Sequence, residues 1–272
     1  MADKRVTPAR SDLAAAHLKG AVDAPRFAEG EKFSVCVGRA SLRVRPGNDA
    51  AQDSELLFGE SITVYDRAHG WSWGQAANDF YVGYVREDAL AAPFARDARV
   101  TALMAPVFSA ADLKTPVCDL LPMNAAVPVL EREGDYVKIA EGRYLHQRHL
   151  EPESEKDFVA IAERFLGAPY VWGGKTAAGL DCSGLVQTAL QAVGKVAPRD
   201  TDMMEKVGEV TALAMVQRGD LIFWKGHMGV MLDKERLLHA NAFHMAVAIE
   251  PLAEAMARIE KIAGPVTSAK RL

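Results

Sequence analysis

Hydrophobic positions recur with two different periods along this chain, and the change of period marks its organisation. Between residues 30 and 93 the apolar positions come in short alternating runs: Leu42 and Val44 ahead of Pro46-Gly47, then Ile62, Val64 and Tyr65, then Trp71 and Trp73 after Gly70, then Tyr84-Val85. Period-two runs broken by turn residues at close intervals predict a small β-barrel. Residues 94–152 repeat the pattern more faintly. Ile62, Val64 and Trp71 correspond to Val127, Val129 and Tyr136 at an offset of 65 residues, and Tyr84, Val85 and Leu90 to Tyr144, Leu145 and Leu150 at an offset of 60. The second copy has no counterpart of Trp73. Ala91-Ala92-Pro93 and Glu151-Pro152-Glu153-Ser154 read as linkers, Glu131-Arg132-Glu133 as a solvated turn, and residues 1–29 as an arm in which Ser11 to Gly20 is at most a short capped helix.

Beyond residue 152 the period lengthens. Phe158, Ile161, Ala162 and Phe165 share one face of a helix predicted over residues 155–166, with Ser154 as its cap and Gly167 as its stop. Leu185, Val186, Ala189, Leu190 and Val193 predict a second helix that begins at Asp181-Cys182 and stops at Gly194. The apolar runs 221–224, 227–232 and 236–240 predict buried strands. The fold class is therefore α+β, with residues 153–272 forming one domain behind two small barrels.

With 272 residues, 49% hydrophobic and 25% charged, the chain supports two or three packed domains. A net charge of −4 gives no footing for binding nucleic acid or an anionic membrane. No apolar run approaches the roughly 20 residues that cross a bilayer. Met1 to Gly30 carries Lys4, Arg5 and Arg10 without a continuous apolar core behind them, so it does not read as a signal peptide, and three scattered cysteines suit a reducing, cytoplasmic setting. Cys36 and Cys118 are expected as small core residues of the two barrels. Nothing in the sequence fixes an oligomeric state.

Cys182 carries the candidate chemistry. In the first turn of a helix, unpaired N–H groups and the positive end of the dipole favour a thiolate, which predicts a lowered thiol pKa. A thiolate nucleophile needs a base and a group to orient that base. His227 and His239 lie 45 and 57 residues downstream on two predicted strands. If those strands are antiparallel neighbours, the imidazoles lie side by side; either one could instead be a satisfied core histidine. A metal site is the rival use of these rings. His239 and His244 come without a His-Glu-x-x-His motif, paired cysteines or an acidic cluster, so neither a metal nor any other cofactor is expected. His146 and His149 are expected at the surface.

The residues at this point resemble a known family. Tyr170-Val171-Trp172-Gly173-Gly174, Asp181-Cys182-Ser183-Gly184, Pro198-Arg199-Asp200-Thr201, Gly219-Asp220-Leu221-Ile222-Phe223-Trp224, His227-Met228-Gly229-Val230 and Leu238-His239-Ala240 are similar, in order, to the NlpC-like bacterial cell-wall cysteine peptidases, a papain-like group with a Cys-His-His triad. The resemblance implies Cys182 as nucleophile, His227 as base and His239 as its orienting partner. It implies substrate contacts from Tyr170, from Asp181 and Ser183 beside the nucleophile, and from Asp200 and Thr201, where Thr201 replaces the commoner serine. Core packing for Tyr170 and simple helix capping for Asp181 stand as alternatives.

Residues 30–93 and 94–152 resemble a tandem pair of bacterial SH3-like domains. In such architectures the first barrel closes the groove and selects peptides with a free amino end. Tyr81 is then the tyrosine that touches substrate, and Glu60 either pairs with the substrate ammonium or is a solvated turn residue. The activity so implied is hydrolysis of the γ-D-glutamyl-L-diamino acid bond in short murein peptides that begin with L-Ala, as in cell-wall peptide recycling. A catalytically silent module that binds wall peptides is the alternative, followed by acyl-transfer or amidase chemistry on a related papain-like fold.

Overall fold

The computed structural model describes residues 3–150 and 155–272, and the chain divides into two compact units, Met1–Pro152 and Glu153–Leu272. Ser154, expected as a helix cap, and the linker 151–154 lie outside the described residues.

Two antiparallel sheets dominate the first unit, beside two short strand pairs, Ala14–Ala15 with Phe27–Ala28 in parallel and Ala98–Arg99 with Ala126–Val127. One has seven strands in the order Gln52–Leu57, Arg39–Arg43, Val82–Arg86, Trp71–Ala76, Ser61–Ala68, Glu31–Val35, Leu90–Ala91. Its alternating side chains bury Leu42, Leu56, Ile62, Val64 and Val85 in one cluster. The other sheet runs Val117–Pro122, Met104–Phe108, Arg143–His146, Tyr136–Ala140, Glu131–Glu133, around Val107, Leu121, Val137 and Leu145. Each closes with a 3-10 turn, Glu87–Ala89 in the first and Gln147–His149 in the second, just before Leu90 and Leu150. At the offsets read from the sequence, Trp71 and Tyr136, and Tyr84-Val85 and Tyr144-Leu145, fall on strands, whereas Val129, the counterpart of Val64, lies outside any strand. Phe58 leaves the first sheet to pack in the second cluster.

Several local expectations change. Instead of an α-helix the arm forms a 3-10 turn at Ala16–Leu18 and a short parallel pair of Ala14–Ala15 with Phe27–Ala28, and it is tied to the first sheet: the Val82 N–H donates to the Arg5 carbonyl at 2.7 Å, and Arg10 reaches Asp66 at 2.5 Å and stacks 4.5 Å over Trp73. Neither distant cysteine is a core residue. Cys118 is exposed on an edge strand with a neighbour on one side only, and Cys36 is half-buried just past the end of its strand. Glu131–Glu133 is an exposed edge strand rather than a turn. His146 is half-buried edge-to-face against Tyr136, with ring centroids 5.2 Å apart, and burial pushes the His149 pKa down.

The second unit packs helices on one six-stranded sheet. Its helices are α1 (Phe158–Glu163), α2 (Cys182–Ala192), α3 (Thr201–Met204) and α4 (Leu252–Ala263). The strands of that sheet are β1 (Glu209–Thr211), β2 (Leu221–Trp224), β3 (His227–Met231), β4 (Arg236–Asn241), β5 (Ala246–Pro251) and β6 (Ser268–Arg271), in the order β1-β6-β2-β3-β4-β5, and Lys175–Thr176 pairs separately with Gly179–Leu180. Helix α1 is shorter than its apolar pattern; Asp157 caps it, accepting from the Val159 N–H at 2.9 Å. Met231 and Leu237 pack with Leu252, Ala255 and Ile259, which seats α4 on the sheet. Leu185, Val186 and Ala189 are fully buried, and α2 packs against α1, β3 and β4.

Candidate active site

The start of α2 is held by a buried ionic brace. Asp181 is the N-cap and its carboxylate accepts five hydrogen bonds, from the Gly184 and Gly173 amides, the Ser183 hydroxyl and two from Arg199 at 3.0 and 2.7 Å. Arg199 has no exposed side-chain surface and donates also to Ser183 Oγ at 2.9 Å and toward the Gly174 carbonyl. A Cβ on Gly184 would stand 2.1 Å from the Gly174 oxygen, so only glycine lets the loop close this tightly over the helix. Asp181 and Ser183, expected as substrate contacts, are thus committed within the protein, and Arg199 is the partner the sequence reading left without a role. Helix capping, the alternative for Asp181, is what its side chain does.

This brace sets the environment of Cys182, which is buried. Thr201 Oγ1, at the start of α3, lies 3.6 Å from its sulfur. The pairing of β3 with β4 begins at Val230 opposite Leu238, so β3 residues 227–229 extend past it, and there the Met228 backbone N–H donates to the sulfur. The thiol pKa runs opposite to expectation: burial pushes it up, the Asp181 charge pushes further, and Thr201 with the Met228 and Ser183 amides pulls back. Burial outweighs the helix-end effect, so the resting sulfur carries its proton. Tyr170 senses the same surroundings; its phenol is pushed up to about 12 by burial first, then by Cys182 once that thiol ionises and by the Asp181 charge. Asp200 is the half-buried N-cap residue of α3.

The two histidines meet as expected. His227 Nε2 and His239 Nδ1 are 2.9 Å apart. Gly229 explains the fit: it sits opposite His239, where a Cβ would come 3.0 Å from the His239 Cβ, and the missing side chain lets His227, two residues earlier on the same side of β3, lean across. Trp224, paired directly with His227 across the β2–β3 turn, lies tilted against its ring with centroids 5.7 Å apart. Burial drives the His227 pKa down to about 4, and burial with the neighbouring cationic and imidazole groups drives His239 to about 2. Both rings rest neutral at neutral pH.

Sequence reading missed Glu250. His239 Nε2 bonds its Oε1 at 2.7 Å, and the same oxygen accepts from Arg258 of α4. In the β4–β5 register Glu250 faces Leu237, one diagonal step from His239. This supplies the acid that the sequence reading found lacking near His239 and His244: ligand atoms of His239, His244 and Glu250 lie within 4.8 Å of one another. The guanidinium on the shared carboxylate oxygen opposes a divalent cation there.

Cys182, His227 and His239 all lie within the stretch of this chain that matches a known family. Residues 167–262 match the NlpC/P60 family, and residues 42–90 match the bacterial dipeptidyl-peptidase Sh3 domain. The chain carries an NlpC/P60 domain behind an SH3-like domain. It is 29% identical over 150 residues to a γ-D-glutamyl-L-lysine dipeptidyl-peptidase of Bacillus subtilis, covering 49% of this chain and 51% of that protein. It is 28% identical over 210 residues to dipeptidyl-peptidase 6 of Lysinibacillus sphaericus, covering 75% and 72%. The match thus spans about half of the B. subtilis relative. An NlpC/P60 family protein of Bacillus cereus shares the fold, with a TM-score of 0.73 at 19% identity over 89% of this chain and 99% of that one.

The two remaining expected residues belong to the SH3-like unit. Tyr81 is 3% exposed and packs in the core of its sheet. Glu60 is no solvated turn residue: it is buried, accepting from the Leu57 N–H at 3.0 Å and from Asn78 at 2.8 Å. Among the described residues, no helix is long and apolar enough to cross a membrane.

Proposed function

We propose that this protein is a cysteine peptidase that hydrolyses the γ-D-glutamyl-L-diamino acid bond of short murein peptides beginning with a free L-Ala. The observation that carries this reading is the buried Cys182 at the start of α2, next to a strand whose His227 is hydrogen-bonded to His239. The likeness to the γ-D-glutamyl-L-lysine dipeptidyl-peptidase of B. subtilis supports the substrate class, and the likeness to dipeptidyl-peptidase 6 of L. sphaericus supports release of a dipeptide.

Because thiol and imidazoles rest neutral, proton transfer and attack are coupled. His227 takes the thiol proton as the sulfur bonds to the γ-carbonyl carbon, and backbone N–H groups at the start of α2 receive the oxyanion. The imidazolium returns that proton to the amine of the diamino acid as the C–N bond breaks. Water, deprotonated by His227, then cleaves the thioester, releasing L-Ala-γ-D-Glu and restoring the thiol. Tyr170, Asp200 and Thr201 are proposed to line the acyl side. Asp181 and Ser183 act there through the Arg199 brace. The match of residues 42–90 to the dipeptidyl-peptidase Sh3 domain supports selectivity for a free amino end, with Glu60 and Tyr81 as the proposed contributors. Recycling of such peptides inside the cell is the proposed role, and subcellular fractionation checks it.

Incubation with L-Ala-γ-D-Glu-L-Lys is expected to release L-Ala-γ-D-Glu and lysine, seen by mass spectrometry. The N-acetylated peptide is expected to persist, and Cys182→Ala to be inert. Full turnover by Cys182→Ala removes the mechanism, equal turnover of the acetylated peptide removes the selectivity, and binding without turnover leaves the chain as a silent module.

A further inference from the structure

The hydrogen bonds that run away from the cysteine have a direction, and that direction is set at their far end. Arg258 donates to Glu250 Oε1 and can neither accept nor lose its proton at ordinary pH. An oxygen that already accepts from a guanidinium is an ionised acceptor, so the 2.7 Å contact from His239 Nε2 to it must be donated by the ring. A neutral imidazole with its proton on Nε2 has only a lone pair on Nδ1. The 2.9 Å contact between that Nδ1 and His227 Nε2 must then be donated by His227, which leaves the His227 lone pair on Nδ1. Each step follows from the previous one, and the first is fixed by Arg258, which α4 holds with its guanidinium 4.2 Å over the Phe243 ring.

We propose that Glu250, held by Arg258, is a positioning residue that locks both His239 and His227 as Nε2–H tautomers and thereby makes His227 Nδ1 the atom that takes the Cys182 proton. The proposal rests on the peptidase reading of the same site and adds to it a group two rings away from the sulfur. Glu250 touches no reacting atom. Its carboxylate is 10% exposed, so little water competes for the His239 proton, and its negative charge lies at the end of the relay that becomes cationic when His227 is protonated. A glutamine at this position can accept from Arg258 through its oxygen while turning its NH₂ toward His239, which reverses every donor along the relay.

Long-range ¹H–¹⁵N correlation spectra of the full chain, labelled at histidine nitrogen and assigned with His227→Gln and His239→Gln variants, report the tautomers directly at neutral pH. Both rings are expected to show a protonated Nε2 and a pyridine-like Nδ1. In Glu250→Gln the His239 pattern is expected to reverse or mix. With L-Ala-γ-D-Glu-L-Lys, kcat is expected to fall by about 10- to 100-fold while KM stays within about two-fold. Arg258→Gln, which keeps the acceptor-only carboxylate but removes its cation, serves as the second variant and is expected to leave both Nε2–H tautomers in place, so mixed tautomers there would overturn the assignment of the lock to Glu250. A wild-type His239 protonated on Nδ1 overturns the proposal, as does a Glu250→Gln protein whose tautomers and kcat are unchanged. The spectra need no turnover, so expected tautomers in a protein that fails to cleave the peptide would uphold the relay and remove the peptidase reading.

Discussion

Arg199→Met isolates the brace behind the nucleophile. The Arg199 side chain is fully buried and that of Asp181 is 9% exposed, and the pair shares two contacts of 3.0 and 2.7 Å. Removing the cation leaves the Asp181 carboxylate buried with only neutral donors from the Gly173 and Gly184 amides and Ser183. Stranding one partner of a buried pair costs about 3–5 kcal/mol, and the methionine recovers part of the lost volume, which places the expected loss near the lower end. Asp181→Asn/Arg199→Met removes both charges while keeping an N-cap side chain, and is expected to be more stable than the single Arg199→Met variant by at least about 1 kcal/mol. Hydrogen exchange of the α2 amides against urea concentration reads this within the second unit alone. A loss under about 1 kcal/mol for Arg199→Met, or a double variant no better than the single one, would falsify the claim that charge pairing holds this corner together.

Three further outcomes follow from the same geometry. His227, with an unfolded pKa of 6.5 and a folded one of about 4, contributes stability that is fully present above pH 6.5 and lost as pH falls toward 4; the thermal midpoint is expected to drop across that window, less steeply in His227→Gln, and parallel curves would contradict the assignment. Thr201→Val keeps the shape but removes the hydroxyl 3.6 Å from the Cys182 sulfur, so the thiol is expected to titrate higher and react more slowly with iodoacetamide at pH 8, and an unchanged rate profile would reject that contact. Gly229→Ala drives a methyl toward Leu237 and the His239 Cβ, which is expected to lower kcat with a smaller effect on KM; unaltered kcat would show that the dyad has room to spare.

Much of this was readable before any coordinates. The apolar runs within 221–240 predict three strands, and two histidines on neighbouring antiparallel strands can touch only if both project to one side, as His227 and His239 do. The helix start at Asp181-Cys182 carried its own cap signal. Glu250 was illegible because its partner is chosen by register: it stands opposite Leu237 rather than near His239 in sequence, in a strand whose visible pattern is Val247 and Ile249. Arg199 lay inside a noted motif, yet its role required knowing that the chain folds it back onto a residue 18 positions earlier. The direction of the thiol shift failed for a related reason. A helix end is a local feature that sequence displays, whereas burial is supplied by the loop at Gly174, by α3 and by β3, all distant along the chain.

The central claim is that the Cys182 sulfur itself attacks the substrate. Rapid quenching of the wild-type protein with L-Ala-γ-D-Glu-L-Lys, followed by intact-mass and peptide-level mass spectrometry, observes that step directly. A transient adduct of the L-Ala-γ-D-Glu acyl group on Cys182 is the expected result, and turnover that proceeds with the acyl group on another residue would contradict it.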